Sequence, residues 1–353
     1  MRNNYPTVQN RAVRRRFAND GPTVSPTTTY AGVHAAPFVA PALKLATTLE
    51  KNFVRQIDGI QNKAVISSLS STGVIQAANC SWNDNDSLTL GERVLTLTDL
   101  AVMEALCRGT ILPTWAGMTG ARETMTAGSP EFVAFTMATV AGYAAQGVEN
   151  GIWQGGMATG QAGFLSNDGT LDVGGYQASI LGTRSGGAAI VNEVTANAAS
   201  FLGAASAIVG ATGAFNVVYQ DALSNCPAIL NRTDVAYYCS PKTAGQYMLG
   251  LAISGAHQGV NMQSTDQAFD TLQYLGIPIH VCPGMFDDVL ILTYAENLVV
   301  GSNLNTDYQS AQYIDDWMYS GSDLVKIAMR FGTGMQVGIP ADVVVGGAAA
   351  LFA

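Results

Sequence analysis

The segment from Ser129 to Gly156 constrains the fold most strongly, because it encodes one long helix with both ends marked. Ser129 is of a residue type that accepts a hydrogen bond from a free backbone N–H of the first turn, and Pro130 suits the first helical position. Gly155 and Gly156 supply the left-handed conformation with which many helices end. The pattern predicts a helix from Pro130 to Trp153, roughly 36 Å long at about 1.5 Å per residue.

This predicted helix has two different faces. At about 100° per residue, apolar side chains fall on one narrow stripe, formed by Val133, Met137, Val140, Ala144 and Val148. Polar side chains cluster on the opposite side, at Glu131, Thr139, Gln146 and Glu149. The pattern indicates that the apolar stripe packs and that the polar side faces water.

The same segment also admits an interpretation as a transmembrane span. Residues 132–148 carry no formal charge, and the run is nearly long enough to cross a bilayer. Ala, Gly and Thr dominate it rather than Leu and Ile, however, and no basic residue flanks it closely. We therefore expect a helix that packs against protein, and no membrane partner.

The composition points to a surface that other chains cover. The 353 residues suffice for about two lobes, and a hydrophobic share of 48% supplies a proper core. Charged residues make up 12%, about half of the roughly 25% that is typical of globular proteins. An isolated monomer with so few charges would present an unusually apolar surface, which favours burial against further subunits.

The charge is unevenly distributed along the chain. Residues 1–20 hold five arginines and one aspartate, a net +4, so that the total of −9 leaves −13 on the remainder. An acidic body argues against a protein that reads nucleic-acid sequence, since such a protein needs a basic patch to neutralise phosphates. Two interpretations of the basic tail stay open: a solvated arm, or an arm that contacts nucleic acid or an acidic partner through Arg11, Arg14, Arg15 and Arg16.

The N-terminal third suggests an arm, a helix and a protruding loop. Residues 1 to about 40 show no periodicity and read as an extended arm that needs another surface to become ordered. From Pro41 to Lys63 the apolar residues recur at intervals of three and four, which predicts a second amphipathic helix. The polar stretch from Ser67 to Ser87 is typical of a loop or a long hairpin that protrudes from the protein.

The C-terminal half suggests a mixed α/β lobe followed by closing strands. Small residues dominate 157–215, while short strands surround a helix near Ala244 to Ile253 between residues 235 and 292. Alternation over residues 325–331, and again over 335–339 after Gly-Thr-Gly, predicts two half-buried strands. The three valines at 343–345 predict a fully buried strand just before the chain ends.

Signatures of enzyme chemistry are missing from the sequence. No lysine follows a glycine, as a phosphate-binding loop requires, and neither a nucleophile elbow nor an HExxH pair occurs. Five cysteines without a CxxC pair fit neither a disulfide framework nor a zinc site, so we expect no cofactor and no metal. His280 and Cys282 remain as one enzymatic alternative, because strand alternation places them on one face.

The chain order and two stretches resemble tailed-bacteriophage major capsid proteins. Glu149, Ile152, Trp153 and Gly155 at the end of the long helix resemble the spine helix of the Hong Kong 97-like capsid fold, where a related acidic-aliphatic-Trp-x-Gly ending recurs. The closing stretch from 297 to 345 is similar to the C-terminal half of that family. Together with the arm and the protruding loop, the resemblance covers nearly the whole chain.

The resemblance implies an α+β fold built from the parts of that family. These parts map to an N-terminal arm with a short helix (1–60), an extended loop (61–98), a peripheral domain (99–189) with the spine helix (130–153), an axial domain (190–290), and strands that return to the peripheral domain (291–353). The apolar stripe of the spine helix would then serve assembly.

The implied function is self-assembly as hexamers and pentamers into an icosahedral shell that encloses the double-stranded DNA of a tailed phage. The implied partners are other copies of the chain, a portal, scaffolding or decoration proteins, and DNA bound without sequence specificity. Assembly would take place in the host bacterial cytoplasm and end in the virion capsid. Two alternatives remain: an encapsulin-type nanocompartment that encloses protein cargo, and a cytosolic enzyme that uses His280 and Cys282.

Overall fold

A computed structural model describes eleven stretches of the chain, namely residues 27–31, 46–71, 88–107, 109, 130–155, 163–165, 192–193, 213–253, 272–287, 289–304 and 310–347. The helices are α1 (Thr47–Glu50), α2 (Pro130–Gln154), α3 (Ala214–Asn225), α4 (Pro241–Ile253) and α5 (Trp317–Ser320). The strands of the first half are β1 (Thr27–Ala31), β2 (Arg55–Ile57), β3 (Lys63–Ser71), β4 (Leu88–Thr96), β5 (Thr98–Cys107) and β6 (Asn192–Glu193). Those of the second half are β7 (Val235–Cys239), β8 (Gln273–Tyr274), β9 (Ile277–Val281), β10 (Val289–Tyr294), β11 (Leu298–Ser302), β12 (Ser310–Asp315), β13 (Leu324–Val337) and β14 (Val344–Gly347).

The first sheet is organised around β13, the longest strand. The order is β1-β12-β13-β11-β2, and β5 also pairs with β13 over ten residues. The β11–β2 pair is parallel, whereas the other pairs are antiparallel. From Phe331 to Val337 every residue of β13 is buried, so the C-terminal half of this strand is covered on both faces.

The second sheet is mixed and has the order β6-β14-β10-β7-β9-β8. Its central strands β7 and β10 are buried at every position, as expected for a sheet that is covered on both sides. On one side, Tyr237 and Leu292 pack with α3 and α4 in a core of their own. On the other side, Tyr238 and Ile291 pack in the core that contains α2 and the first sheet. The second sheet therefore separates two hydrophobic cores.

Helix α2 confirms the prediction from sequence to within one residue at its C-terminal end. Gly155 follows it with φ 72°, the left-handed conformation for which glycine is suited. Two carbonyl groups of the last turn accept hydrogen bonds from a following segment, Ile152 from the N–H of Phe164 at 2.8 Å and Trp153 from the N–H of Leu165 at 2.7 Å. The end of the helix is thus satisfied by tertiary contacts. Ser129, the expected N-cap, lies outside the described residues.

The predicted helix from Pro41 to Lys63 is wrong over most of its length. Only α1, of four residues, is helical within the described part of this range. Asn52 adopts φ 54°, a left-handed conformation that Asn tolerates better than most residues and that ends the helical path. The chain then enters β2, which pairs in parallel with β11. We call the segment 46–62 the strap, because it runs over both sheets.

Two further expectations need correction. Of the arm predicted over residues 1–40, the structure describes residues 27–31. These form β1, which finds its surface within the subunit by pairing antiparallel with β12 of its own chain. The two strands predicted on either side of Gly-Thr-Gly form one continuous strand, β13. The strand predicted at 343–345 is present as β14 and pairs with β10 in the second sheet. The strands at 235–239, 277–281 and 289–294 and helix α4 confirm the expected mixed α/β lobe.

Candidate assembly surfaces

Strands β3 and β4 form a two-stranded hairpin that presents large apolar residues to solvent on one side. The register places Val65 opposite Val94, Leu69 opposite Leu90 and Ser71 opposite Leu88. Because directly opposed residues of an antiparallel pair share a face, five large apolar residues lie on one side of the hairpin. All five are exposed to solvent, Leu69 to 67% and Leu90 to 61% of their surface. We call this side the apolar face of the hairpin and define it by Val65, Leu69, Leu88, Leu90 and Val94. The opposed pair Ser67 and Glu92 lies on the same side and is also exposed.

The base of the hairpin is fixed to the first sheet. Leu95 is fully buried in a small core with Ile60 and Val299. The side chain of Gln336 donates a hydrogen bond to the carbonyl of Val94 at 2.9 Å. A methyl group at Gly334 of β13 would overlap the carbonyl oxygen of Thr96, so this glycine allows the hairpin to approach the sheet closely. The apolar face therefore projects from a rigid base.

The strap that leads into the hairpin is anchored on the spine helix α2. Glu149 is 4% exposed, and its carboxylate accepts hydrogen bonds from the Thr48 N–H at 2.9 Å and from the Thr48 hydroxyl at 2.5 Å. The indole N–H of Trp153 donates to the same hydroxyl at 2.9 Å. Ala46, the N-cap of α1, makes no side-chain cap bond, so Glu149 caps this short helix from a distant part of the chain.

The position of Glu149 corrects the sequence prediction. The helical wheel placed Glu149 on the polar side, facing water, but the carboxylate is buried against the strap. The helical wheel identified the neighbours of Glu149 on the helix correctly, but it cannot show a hydrogen-bond partner that lies 101 residues away in the sequence. Gly284 packs directly on the backbone of Glu149, where a methyl group would lie 2.6 Å from the carbonyl carbon. The residue is enclosed from two sides.

The strap continues over the second sheet and then joins the first. The hydroxyl of Tyr238 donates to the carbonyl of Phe53 at 2.7 Å, and the Phe53 ring stacks on His280 at 3.9 Å between centroids. Farther along, the Ile60 N–H donates to the carbonyl of Ser302 at 3.0 Å. The strap thus connects both sheets and the spine helix to the hairpin.

The surroundings of His280 and Cys282 do not support a catalytic pair. Cys282 is fully buried, and burial raises the pKa of its thiol well above its usual range, with nearby Glu149 raising it further. A nucleophilic cysteine needs the opposite environment, because the thiolate is the reactive form. His280 stacks on Phe53. Cys282 is thus a packing residue of the core, and His280 is half-buried beside it.

The predicted stripe of the spine helix is directed toward the core between the two sheets. Met137, Val140 and Val148 are buried there, and Val133 and Ala144 are partly buried and pack against it. The structure therefore places all five residues against their own chain, and any role in contacts between subunits remains a prediction. The predicted arm contacts, Arg11, Arg14, Arg15 and Arg16, lie outside the described residues.

The outer face of α2 carries no charge over its described side chains. The exposed positions are Ala134, Ala138, Thr139, Tyr143, Gln146, Gly147 and Asn150. Glu149, the single charged residue between 133 and 154, is buried. A helix at the surface of a monomer normally presents charged residues to water. This outer face of α2 is therefore suited to being covered by protein.

The turn between β12 and β13 is rigid and presents an aromatic residue. The carboxylate of Asp316 accepts hydrogen bonds from the hydroxyl of Ser322 at 2.6 Å, the ammonium of Lys326 at 2.9 Å and the hydroxyl of Ser320 at 2.9 Å. These bonds lower the pKa of Asp316 to about 2. Trp317 in the same turn is half exposed, a setting typical of contact residues in interfaces.

Within the described residues, no group of three or more His, Cys, Asp or Glu side chains is placed to hold a metal ion. Among the helices that the structure describes, none combines the length and hydropathy needed to cross a bilayer.

Comparison with solved structures identifies the fold. The chain is similar to the satellite phage P4 procapsid including size determination (Sid) protein, with a TM-score of 0.55 and 11% identity over 97% of both chains. It is also similar to the capsid of a native GTA particle, with a TM-score of 0.51 and 13% identity over 86% of this chain and 90% of that one. Gordonia phage Cozz matches with a TM-score of 0.50 and 16% identity over 86% of both chains.

No protein-family model and no curated protein matches the chain. At these identities the similarity defines the fold: the chain has the α+β fold of phage capsid proteins, as predicted from its sequence. The boundaries proposed for the individual domains remain predictions. One of them, at residue 290, falls inside β10.

Proposed function

We propose that this chain is the major capsid protein of a tailed bacteriophage, and that its copies assemble as hexamers and pentamers into an icosahedral shell around double-stranded DNA. The observation that carries the proposal is a capsid fold from which a hairpin projects with its apolar face uncovered. Several large apolar residues exposed together mark a contact site, and on this face they lie on both sides of the opposed pair Ser67 and Glu92. The capsid structures that the chain resembles support a structural role rather than a catalytic one.

A neighbouring copy is the partner that fits the apolar face of the hairpin. A two-stranded hairpin is marginally stable by itself, so its function requires a surface to lie on. The outer face of α2 is the proposed counterpart, because it offers Tyr143 and small residues and carries no charge of its own. The charge to be desolvated at this contact is Glu92 of the hairpin. The two surfaces differ, so the contact is heterologous and can close into rings of five and six.

The charge distribution supports DNA as the content of the shell. A body with a net charge of −13 discourages DNA from adhering to the wall, as packaging requires. The basic arm, with Arg11, Arg14, Arg15 and Arg16, would contact neighbouring subunits or phosphates without reading sequence. The matches to phage and GTA capsids favour this content over the protein cargo of a nanocompartment.

Further partners follow from the proposed role. A shell that is filled with DNA needs a portal, and a separate scaffolding or decoration protein would assist its assembly in the host cytoplasm before it becomes the virion capsid. The P4 procapsid contains the size determination (Sid) protein, and a comparable assembly partner is proposed for this chain.

Negative-stain electron microscopy of the expressed chain, after size-exclusion chromatography in low and moderate salt, tests the proposal. We expect closed shells, or rings of five and six subunits. Treatment of the particles with nuclease, followed by extraction, then tests whether they protect nucleic acid. A chain that stays a monodisperse monomer at every salt and protein concentration, with a folded circular dichroism spectrum, would contradict the proposed assembly.

A further inference from the structure

Thr333 is a buried polar residue whose hydroxyl lacks a hydrogen-bond partner among the described residues. It lies in β13, opposite Ser302 of β11 and Thr98 of β5, and is 1% exposed. Burying a hydroxyl without a partner costs free energy, and most buried side-chain hydroxyls in folded proteins are satisfied by protein or by ordered water. The position of Thr333 therefore requires an explanation.

Thr333 lines a small cavity where the strap, the spine helix and the first sheet meet. Gln56 and Asp58 of the strap and Ser302 of β11 supply the other polar groups, and Val148 of α2 forms part of the apolar wall. The free volume is about 10 Å³. Such a volume is about the minimum for one water molecule, which needs two to four polar partners.

We propose that one ordered water molecule occupies this cavity and joins the strap to β13. The Thr333 hydroxyl would be one of its partners, and an oxygen of Asp58 or Ser302 would be another. Ser302 already donates to Asp58 at 2.6 Å and accepts from the N–H of Leu304 at 3.3 Å, which fixes both groups at the edge of the cavity. Water fits better than a metal cation, because Asp58 supplies the single carboxylate and it is already hydrogen-bonded.

The position of this site gives the water a structural role in the subunit. Asp58 lies five residues before Lys63, where the hairpin begins, and the Ile60 N–H donates to the carbonyl of the same Ser302. A water bridge at Thr333 would hold the strap to the sheet directly at the base of the hairpin. The inference does not depend on the proposed function.

Substitution of Thr333 by Val tests the proposal through the sign of the change in melting temperature. The substitution keeps the shape and removes the hydroxyl. If a water molecule uses that hydroxyl, the Thr333→Val protein melts at a lower temperature than wild type. If the site is dry, the variant replaces an unpaired hydroxyl by a methyl group and melts at the same or a higher temperature, which would overturn the proposal.

Thr293→Val is the matched control. Thr293 is also fully buried in a strand, and its hydroxyl donates to the carbonyl of Asp342 at 3.0 Å and accepts from Asn297 at 3.1 Å. Its substitution should lower the melting temperature, and we expect Thr333→Val to shift it in the same direction.

A density map that resolves ordered water gives a second readout if Thr333→Val fails to fold. We expect a single peak at hydrogen-bond distance from the Thr333 hydroxyl in wild type and in Thr333→Ser, which retains the hydroxyl. A cavity without density, or a peak whose short distances to several oxygens indicate a cation, would contradict the inference.

Discussion

Substitution of Leu69 by Asp should prevent assembly while leaving the subunit folded. Leu69 is 67% exposed on the apolar face of the hairpin. Complete burial of a leucine side chain contributes roughly 1.5–3 kcal/mol, so covering the exposed two thirds would contribute about 1–2 kcal/mol to each subunit contact. An aspartate forgoes that contribution and adds the cost of burying an unpaired carboxylate, which exceeds the roughly 1–3 kcal/mol typical of a neutral polar group. The expected loss is therefore at least about 3 kcal/mol per contact, which corresponds to an association at least roughly a hundredfold weaker.

The assay compares the protein concentration at which rings or shells appear, by size-exclusion chromatography with electron microscopy, for wild type and Leu69→Asp. Thr89→Asp is the matched control, because Thr89 is exposed on the opposite face of the same hairpin. Both variants should melt close to wild type as isolated subunits, since exposed substitutions usually change stability by less than about 0.5 kcal/mol. Assembly of Leu69→Asp at the wild-type concentration would refute the role of the apolar face.

Three further predictions concern the subunit itself. Gly284→Ala should destabilise the subunit by about 3 kcal/mol or more, because the new methyl group overlaps the Glu149 backbone. Gly245→Ala in α4 has free space for the methyl group and should stabilise the subunit by about 1 kcal/mol. Thermal melting should therefore show a lower melting temperature for the first variant and a higher one for the second. Since the pKa of Asp316 is lowered to about 2, its hydrogen bonds stabilise the fold fully above the unfolded pKa near 4 and lose this effect as the pH falls toward 2. The difference in melting temperature between wild type and Asp316→Asn should therefore narrow as the pH falls from 6 toward 2. A difference that stays constant over this range would contradict the prediction. Thiol labelling of the native protein at pH 8, mapped by mass spectrometry, should modify Cys107, which is exposed. It should spare Cys239 and Cys282, because burial raises the pKa of the Cys239 thiol to about 12 and that of Cys282 well above its usual range. Rapid labelling of Cys282 would instead support the enzymatic alternative.

Local signals in the sequence were sufficient where the structure depends on local contacts. The proline and glycine that bound α2 act within one turn of the helix, so its limits followed from the sequence alone. The short strands of the mixed lobe followed from apolar runs in the same way. The resemblance of the helix ending and the closing stretch to a capsid family then identified a fold that solved structures share.

The interpretation of a glycine was wrong where the glycine accommodates a contact with a distant segment of the chain. Gly-Thr-Gly in the middle of β13 reads as a turn, and two strands were expected. Gly334 is there because the carbonyl of Thr96 packs against it, so the strand continues straight through. A sequence specifies that a glycine is present, but the element that approaches it lies more than two hundred residues away.

The sequence by itself determined the spine helix, the α/β lobe and the shortage of charged residues, which favours burial against other subunits. Periodicity indicates the helix and the strands, and composition gives the shortage of charge, so none of the three depends on contacts between distant segments. The tertiary structure decided which side of an amphipathic element is covered. The sequence predicted a protruding loop or hairpin near Ser67 to Ser87, yet only the pairing of β3 with β4 and the exposure of their side chains show that an apolar side of the hairpin faces solvent. Glu149 is the converse case, a charged residue that is buried because Thr48, 101 residues away in the sequence, packs on it and donates two hydrogen bonds to its carboxylate. Burial depends on contacts between segments distant in the chain, and no pattern within one segment encodes them.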